Sequence, residues 1–317
     1  MRWMVAAFAV LVFHVSLVSH AATSEKSDGA STAKLEQITP VKKFEEDKRI
    51  TDLELRAAVG SMSRWSVKAE LGYTGPAVNA LYDQDRPNPN NSPGDFRTYL
   101  SGAMGVRYRL SPEDTLNLGV GVSWYNPYET LTGKPVDKAP GAADDVSIAS
   151  PRLSYDHSYV VGNVQMRNNF KLSWTTDSQY VKVGQAGSVG YSHNMKYLVG
   201  ISRLTLGLET SPTFYYYNRE WIKKDRNTSN YGVGLYPNFS YRLLSSLDFA
   251  ASVGYFFKNL RNEGSWFKWK QDKITARLGF GWSITKEIYL NPYLNLFTQD
   301  PKLDTTTFAL GTVFSVF

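Results

Sequence analysis

The stretch Thr305 to Phe317 reads TTTFALGTVFSVF. Phe308, Leu310, Thr312, Phe314 and Val316 fall on one side of it, and Thr307, Ala309, Gly311, Val313 and Ser315 on the other. That is a period of two, which marks a strand, because successive strand side chains point to opposite faces. As a soluble edge strand it would expose apolar surface and a row of unpaired backbone groups. In a closed barrel the same strand pairs with the first one and turns its apolar side to lipid.

The same alternation recurs back along the chain. A first strand runs from about Ser63 to Tyr73, a second from Leu100 to Leu110, and a third from Leu116 to Trp124. Further strands are expected around Ala149 to Tyr155, Val164 to Trp174 and Val189 to Met195. Then come Leu204 to Tyr216, Tyr231 to Leu243, Leu247 to Phe257, Ile274 to Ile284 and Ile288 to Leu296. With the C-terminal stretch the count is twelve. Connections at Ser111 to Asp114, Leu244 to Ser246 and Thr285 to Glu287 are tight, whereas Gly75 to Asp95 and Asn126 to Asp145 are long and polar. Short turns at one end and longer loops at the other are the habit of transmembrane barrels. The expectation is an all-β fold, a transmembrane antiparallel up-and-down β-barrel of twelve strands over residues 61–317.

Composition agrees with this. The chain has 20 Tyr and 8 Trp, a supply that interfacial aromatic girdles would use. It has no Cys, so disulfides and cysteine metal sites are excluded. The mean hydropathy of −0.33 argues against a bundle of membrane helices, while a barrel reads as hydrophilic because half of each strand faces a polar lumen.

Gly311, Phe314, Val316 and Phe317, ending an alternating strand, resemble the C-terminal insertion signal of bacterial outer-membrane barrels of the porin-like kind. The resemblance covers this one strand. It implies a multi-pass barrel in a Gram-negative outer membrane. The implied partners are the barrel-assembly machinery, outer-membrane lipids and lipopolysaccharide.

The other end carries a different pattern. Met1-Arg2, an apolar run from Trp3 to Val18 and Ser19-His20-Ala21 read as a secretory signal over residues 1–21, cut after Ala21. Residues 22–60 read as a polar periplasmic arm. Its Lys42 to Arg49 mixes both charge signs, which suits a solvated face and no nucleic-acid partner. From Leu53, the odd positions Leu53, Leu55, Ala57 and Val59 are apolar and in phase with Trp65 and Val67. Two readings stand there: the first strand begins at Trp65, or Gly60-Ser61 bends an earlier extended segment into it.

On the barrel phase the inward positions carry Lys68, Arg107, Arg109, Arg152, Arg167, Lys171, Arg203, Arg242, Lys258 and Arg277. The inward acids are Glu70, Asp156, Glu209 and Asp248. Charges belong there because a lumen offers water or partners that lipid does not. All of these but Lys258, Asp156 and Asp248 form the candidate lumen and selectivity set. An excess of bases favours anionic or neutral solutes, as rings of Arg and Lys do in anion pores. A narrow barrel filled by ion-pair ladders is the competing reading of the same charges.

The favoured function is a porin-like channel for passive diffusion of small polar solutes, anionic ones included, without cofactor or metal. The alternatives are a lipid-modifying outer-membrane hydrolase and a structural or adhesive barrel with a closed lumen. For a hydrolase only His157 and His193 remain beyond the signal. Ser158 and Ser192 are their chain neighbours and so point to the opposite face of a strand, or, for His157-Ser158, sit in a periplasmic turn, and neither geometry brings base to nucleophile. The expectation is therefore a protein that is not an enzyme.

Overall fold

The computed structural model of the chain describes residues 50–88, 96–127, 146–200, 203–222, 228–263 and 265–316. The expected signal at residues 1–21, residues 22–49 of the expected arm, and Phe317 lie outside them. The strands are β1 (Trp65–Ala77), β2 (Tyr99–Arg109), β3 (Asp114–Tyr125), β4 (Val146–Val161), β5 (Val164–Trp174), β6 (Gln185–Leu198) and β7 (Leu204–Tyr217). They continue as β8 (Ser229–Leu244), β9 (Leu247–Leu260), β10 (Lys270–Gln271), β11 (Thr275–Ser283), β12 (Ile288–Phe297) and β13 (Thr307–Val316). Short β10 and β11 both pair with β9 and share one place in the sheet, so the wall has twelve places. Each matches one of the twelve strands expected from the alternation.

Every neighbouring pair is antiparallel, and the sheet closes on itself where β13 meets β1. There Val67 faces Val316, Gly72 faces Gly311 and Tyr73 faces Leu310. Closure leaves no open edge, which in hydrocarbon would strand unpaired N–H and C=O groups.

The two faces sort as the alternation requires. Leu118, Ile148, Phe170, Leu206, Phe280 and Leu294 are exposed on the outside. Lys68, Arg107, Arg109, Asp156, Gln165 and Lys196 are buried within. Connections at 110–113, 162–163, 199–203, 245–246 and 284–287 are short and share one end of the barrel. The other strand ends, such as Ala77 and Tyr99, lie at the opposite end.

Of the two sequence readings the first holds, since β1 begins at Trp65, and the bent extended segment of the second is not there. Leu53–Val59 is a short helix, α1, and not an extended run. Asp52 caps it, accepting from the Leu55 N–H at 3.0 Å, and Gly60 ends it with φ 62°. That left-handed angle suits glycine, and a side chain there would collide with Ser315 and Arg107. Leu, Glu, Arg and Ala are good helix formers. The spacing misleads because α1 is enclosed by the barrel wall. Its open side, at Glu54, borders only the lumen cavity, so it has no need of the wide amphipathic stripe that marks a surface helix. Leu53, Leu55 and Ala57 are all buried, and Leu53 and Ala57 pack with Tyr289 and Val313.

Candidate functional site

The site is the lumen and the helix within it. α1 sits at the short-turn end, held mainly by polar groups from six strands. The Gln165 side-chain oxygen of β5 accepts from the Thr51 and Asp52 N–H groups at 2.8 and 3.0 Å, and its amide donates to Thr51 Oγ1 at 2.9 Å. Arg242 of β8 donates to the Thr51 carbonyl at 2.9 Å. Lys196 of β6 pairs with Glu54 at 3.3 Å, and Arg56 donates to Ser283 Oγ of β11 at 3.0 Å.

The C-terminal end of α1 is held by two arginines of β2. Arg107 Nη2 donates to the Ser61 carbonyl at 2.7 Å, and Arg109 Nη2 to the Val59 carbonyl at 2.6 Å. Arg107 Nη1 also reaches the Val59 carbonyl. Guanidinium groups belong there, since the last carbonyls of a helix lack intrahelical partners and carry partial negative charge. Ser61 N–H donates to the Ser315 carbonyl of β13 at 2.9 Å, which ties the exit of the segment to the closing strand.

A second polar group lies higher in the lumen. Lys68 and Arg167 each bridge Glu70 and Asp156, with four N–O distances between 2.7 and 3.1 Å. Asn117 and Asn169 add donors to Asp156 at 2.8 and 2.9 Å. β1, β4 and β5 are thus cross-linked by four charges that cancel in pairs.

The remaining candidate residues are dispersed. Arg152 reaches the Gly102 carbonyl at 3.5 Å, and Lys171 lies on the inner face of β5. Arg203 is exposed in the turn before β7, 3.5 Å from the Leu243 carbonyl. The Arg277 guanidinium lies over the rings of Tyr236 and Tyr293, at 6.0 and 5.3 Å. Gly311 faces Gly72 and Asn291, Phe314 faces Ala69 and Ile288, and Val316 faces Val67.

Above α1 lies a cavity of about 480 Å³. Its charged lining is Asp52, Glu54, Glu70, Glu209 and Asp248 against Lys196 and Arg277. Along the whole wall the inward bases outnumber the acids, whereas this one cavity is lined by five acids and two bases. The physical reason is placement: Arg107, Arg109 and Arg242 are engaged by α1, Lys68 and Arg167 by Glu70 and Asp156, and α1 contributes two acids of its own. Sequence reasoning missed Gln165, Lys196, Asp52 and Glu54. A signal for the last two was present in Asp52-Leu53-Glu54, a helix cap followed by a first-turn acid.

The two histidines lie on the outward face. His157 Nδ1 bonds Asp114 at 2.8 Å and His193 Nδ1 bonds Asn168 at 2.7 Å. Ser158 faces inward and is buried.

A closed antiparallel ring, apolar outside and polar within, is a transmembrane-type β-barrel. No family model matches the chain, and no curated protein matches its sequence. Among solved structures it is similar to an outer membrane channel from Pseudomonas putida F1, at 12% identity and a TM-score of 0.47, over 81% of this chain and 97% of that one. It is also similar to the KdgM porin in complex with disordered oligogalacturonate, at 11% identity and a TM-score of 0.42, over 80% and 99%. The NanC porin gives 8% identity and a TM-score of 0.43, over 78% and 98%. These are similarities of overall architecture alone.

Proposed function

We propose that the protein is a porin-like channel of a bacterial outer membrane, passing small polar solutes by diffusion, with α1 as the stopper of its short-turn end. One observation carries this reading: a closed ring encloses a polar cavity whose one end is filled by a segment of the same chain. That segment is held by hydrogen bonds and ion pairs, which water can replace, together with the buried apolar contact of Leu53, Leu55 and Ala57. In the stoppered state the acidic lining favours neutral and cationic solutes over anions. Anions would be favoured only in a lumen from which Asp52 and Glu54 are withdrawn and where Arg107, Arg109, Arg242 and Lys196 are uncovered.

The test is conductance of the refolded full chain in planar bilayers. The expected record is a small cation-preferring conductance, with larger openings whenever α1 is loosened by substitution of its anchors. A barrel that never conducts, with or without those substitutions, overturns the channel reading and leaves a closed structural barrel.

A further inference from the structure

The outward wall carries a feature that the channel does not use. Along one row of the ladder Asp114 of β3 faces His157 of β4, His157 faces Asn168 of β5, Asn168 faces His193 of β6, and His193 faces Thr210 of β7. The row is on the outside. His157 lies between Asp156 and Ser158, which are buried inward, while Asn168 shares its face with exposed Phe170 and Trp174. Thr210 shares its face with exposed Leu206 and Phe214. On β1, β2, β11 and β12 the outward positions are apolar or aromatic throughout. Five polar neighbours on five adjoining strands therefore form a stripe on a wall that otherwise suits hydrocarbon.

The stripe is partly satisfied from within, and what remains has a definite chemistry. Asn168 Oδ1 accepts from Tyr191 Oη at 2.7 Å and from His193 Nδ1 at 2.7 Å. An accepting oxygen requires Nδ1 to carry the proton, which leaves Nε2 of neutral His193 as an acceptor. In neutral His157 the same logic gives Asp114 the Nδ1 proton and leaves Nε2 accepting. The Asn168 amide keeps its two N–H donors, and Thr210 its hydroxyl. Two donors thus sit at the centre of the row with an acceptor on either side.

We propose that this row is the seam of a two-fold dimer, with a second copy of this chain as its occupant. The proposal rests on the reading that this wall faces lipid. A two-fold axis along the membrane normal near Asn168 makes the two sloping rows cross at that residue, so that the amide of one copy donates to a histidine Nε2 of the other, and the reverse. Hydrocarbon offers these groups nothing, and polar side chains of this kind join spans within membranes. A lipid headgroup fits less well. Asp114 begins β3 at the short-turn end, but Thr210 is halfway along Leu204–Tyr217, so the row climbs to mid-wall where no headgroup reaches.

The experiment uses the full chain, which has no native Cys. Met166→Cys lies one outward position from Asn168 and leaves the row intact, and Leu290→Cys lies on β12 outside the row. With a short bis-maleimide in lipid nanodiscs, Met166→Cys should give a covalent dimer and Leu290→Cys should not. Native mass spectra of the unmodified protein should show two copies. Asn168→Leu, apolar and close in volume, should lose the dimer while keeping the heat-modifiable gel mobility of a folded barrel. A single copy throughout, equal cross-linking at both positions, or a dimer that survives Asn168→Leu would overturn the proposal. So would a single copy that retains one phospholipid, which would assign the stripe to lipid. A dimer without conductance overturns the channel reading and leaves the seam standing.

Discussion

Arg107 Nη2 donates to the carbonyl oxygen of Ser61 at 2.7 Å, joining the second strand of the wall to the exit of the helix that fills its lumen. A side chain expected to line an open path instead holds the group that obstructs it. Arg109 repeats the arrangement one inward position further on, with Val59 and Ser61 as its acceptors. The first prediction follows from this pair.

Replacing Arg107 and Arg109 by Ala removes both guanidinium groups from the α1 carbonyls. A hydrogen bond to a charged group contributes about 2 kcal/mol, so losing one such bond shifts the plugged–unplugged equilibrium roughly thirtyfold. Single-channel records should show longer and larger openings. Unchanged records would show that α1 does not govern the path.

Gln165→Leu tests the other end of the segment. The Thr51 and Asp52 N–H groups lose their shared acceptor, and Thr51 Oγ1 loses its donor. Hydrogen exchange should quicken at Thr51 and Asp52 while the β1–β13 ladder stays protected. Equal quickening in that ladder would mean that Gln165 supports the barrel as a whole.

Asp156 is the acceptor shared by Lys68, Arg167, Asn117 and Asn169. Asp156→Ala leaves two buried cations with Glu70 alone, a loss on the order of 3–5 kcal/mol for breaking a buried pair. Urea unfolding in detergent should show an earlier midpoint. The double change with Lys68→Met should recover part of the loss, because one uncompensated charge has been removed. No recovery would argue that the charges are not coupled.

The cavity charge sets the preferred ion. Glu209→Gln with Asp248→Asn removes two of its five acids and should move the reversal potential in a salt gradient toward anions. Arg277→Glu should move it toward cations. Both shifts should grow at low ionic strength, where screening is weaker. Indifference to all three changes would place the selective constriction elsewhere.

Sidedness can be read by single-Cys labelling of intact cells. Asn88→Cys, at the long-loop end, should react with an impermeant maleimide, and Pro112→Cys, in a tight turn, should not. The opposite pattern would invert the barrel.

The strands and their phase were open to reading from local pattern. A strand shows its two faces through neighbours one residue apart, so Leu116, Leu118, Val120 and Val122 against Asn117, Gly119 and Gly121 already separate outside from inside. The alternation of short turns and long loops is local too, and it sets the twelve-strand ring. α1 was not readable in this way, because Leu53 to Val59 mimic a strand period and enclosure removes the amphipathic signal of a surface helix. The pairing of charges also depended on closure. Lys68 meets Asp156, 88 positions away, and Gln165 meets Thr51, 114 away, only because the ring brings β1, β4 and β5 and the plug together. The sequence by itself determined the inward phase of strand charges such as Lys68, Arg107 and Asp156, but not Lys196, Asp52 or Glu54, nor that Arg203 lies exposed in a turn. Only the tertiary structure decided which of them are spent on one another, and hence that the cavity wall is acidic although the inward bases outnumber the inward acids, since electrostatic sign at a point depends on distance and not on count.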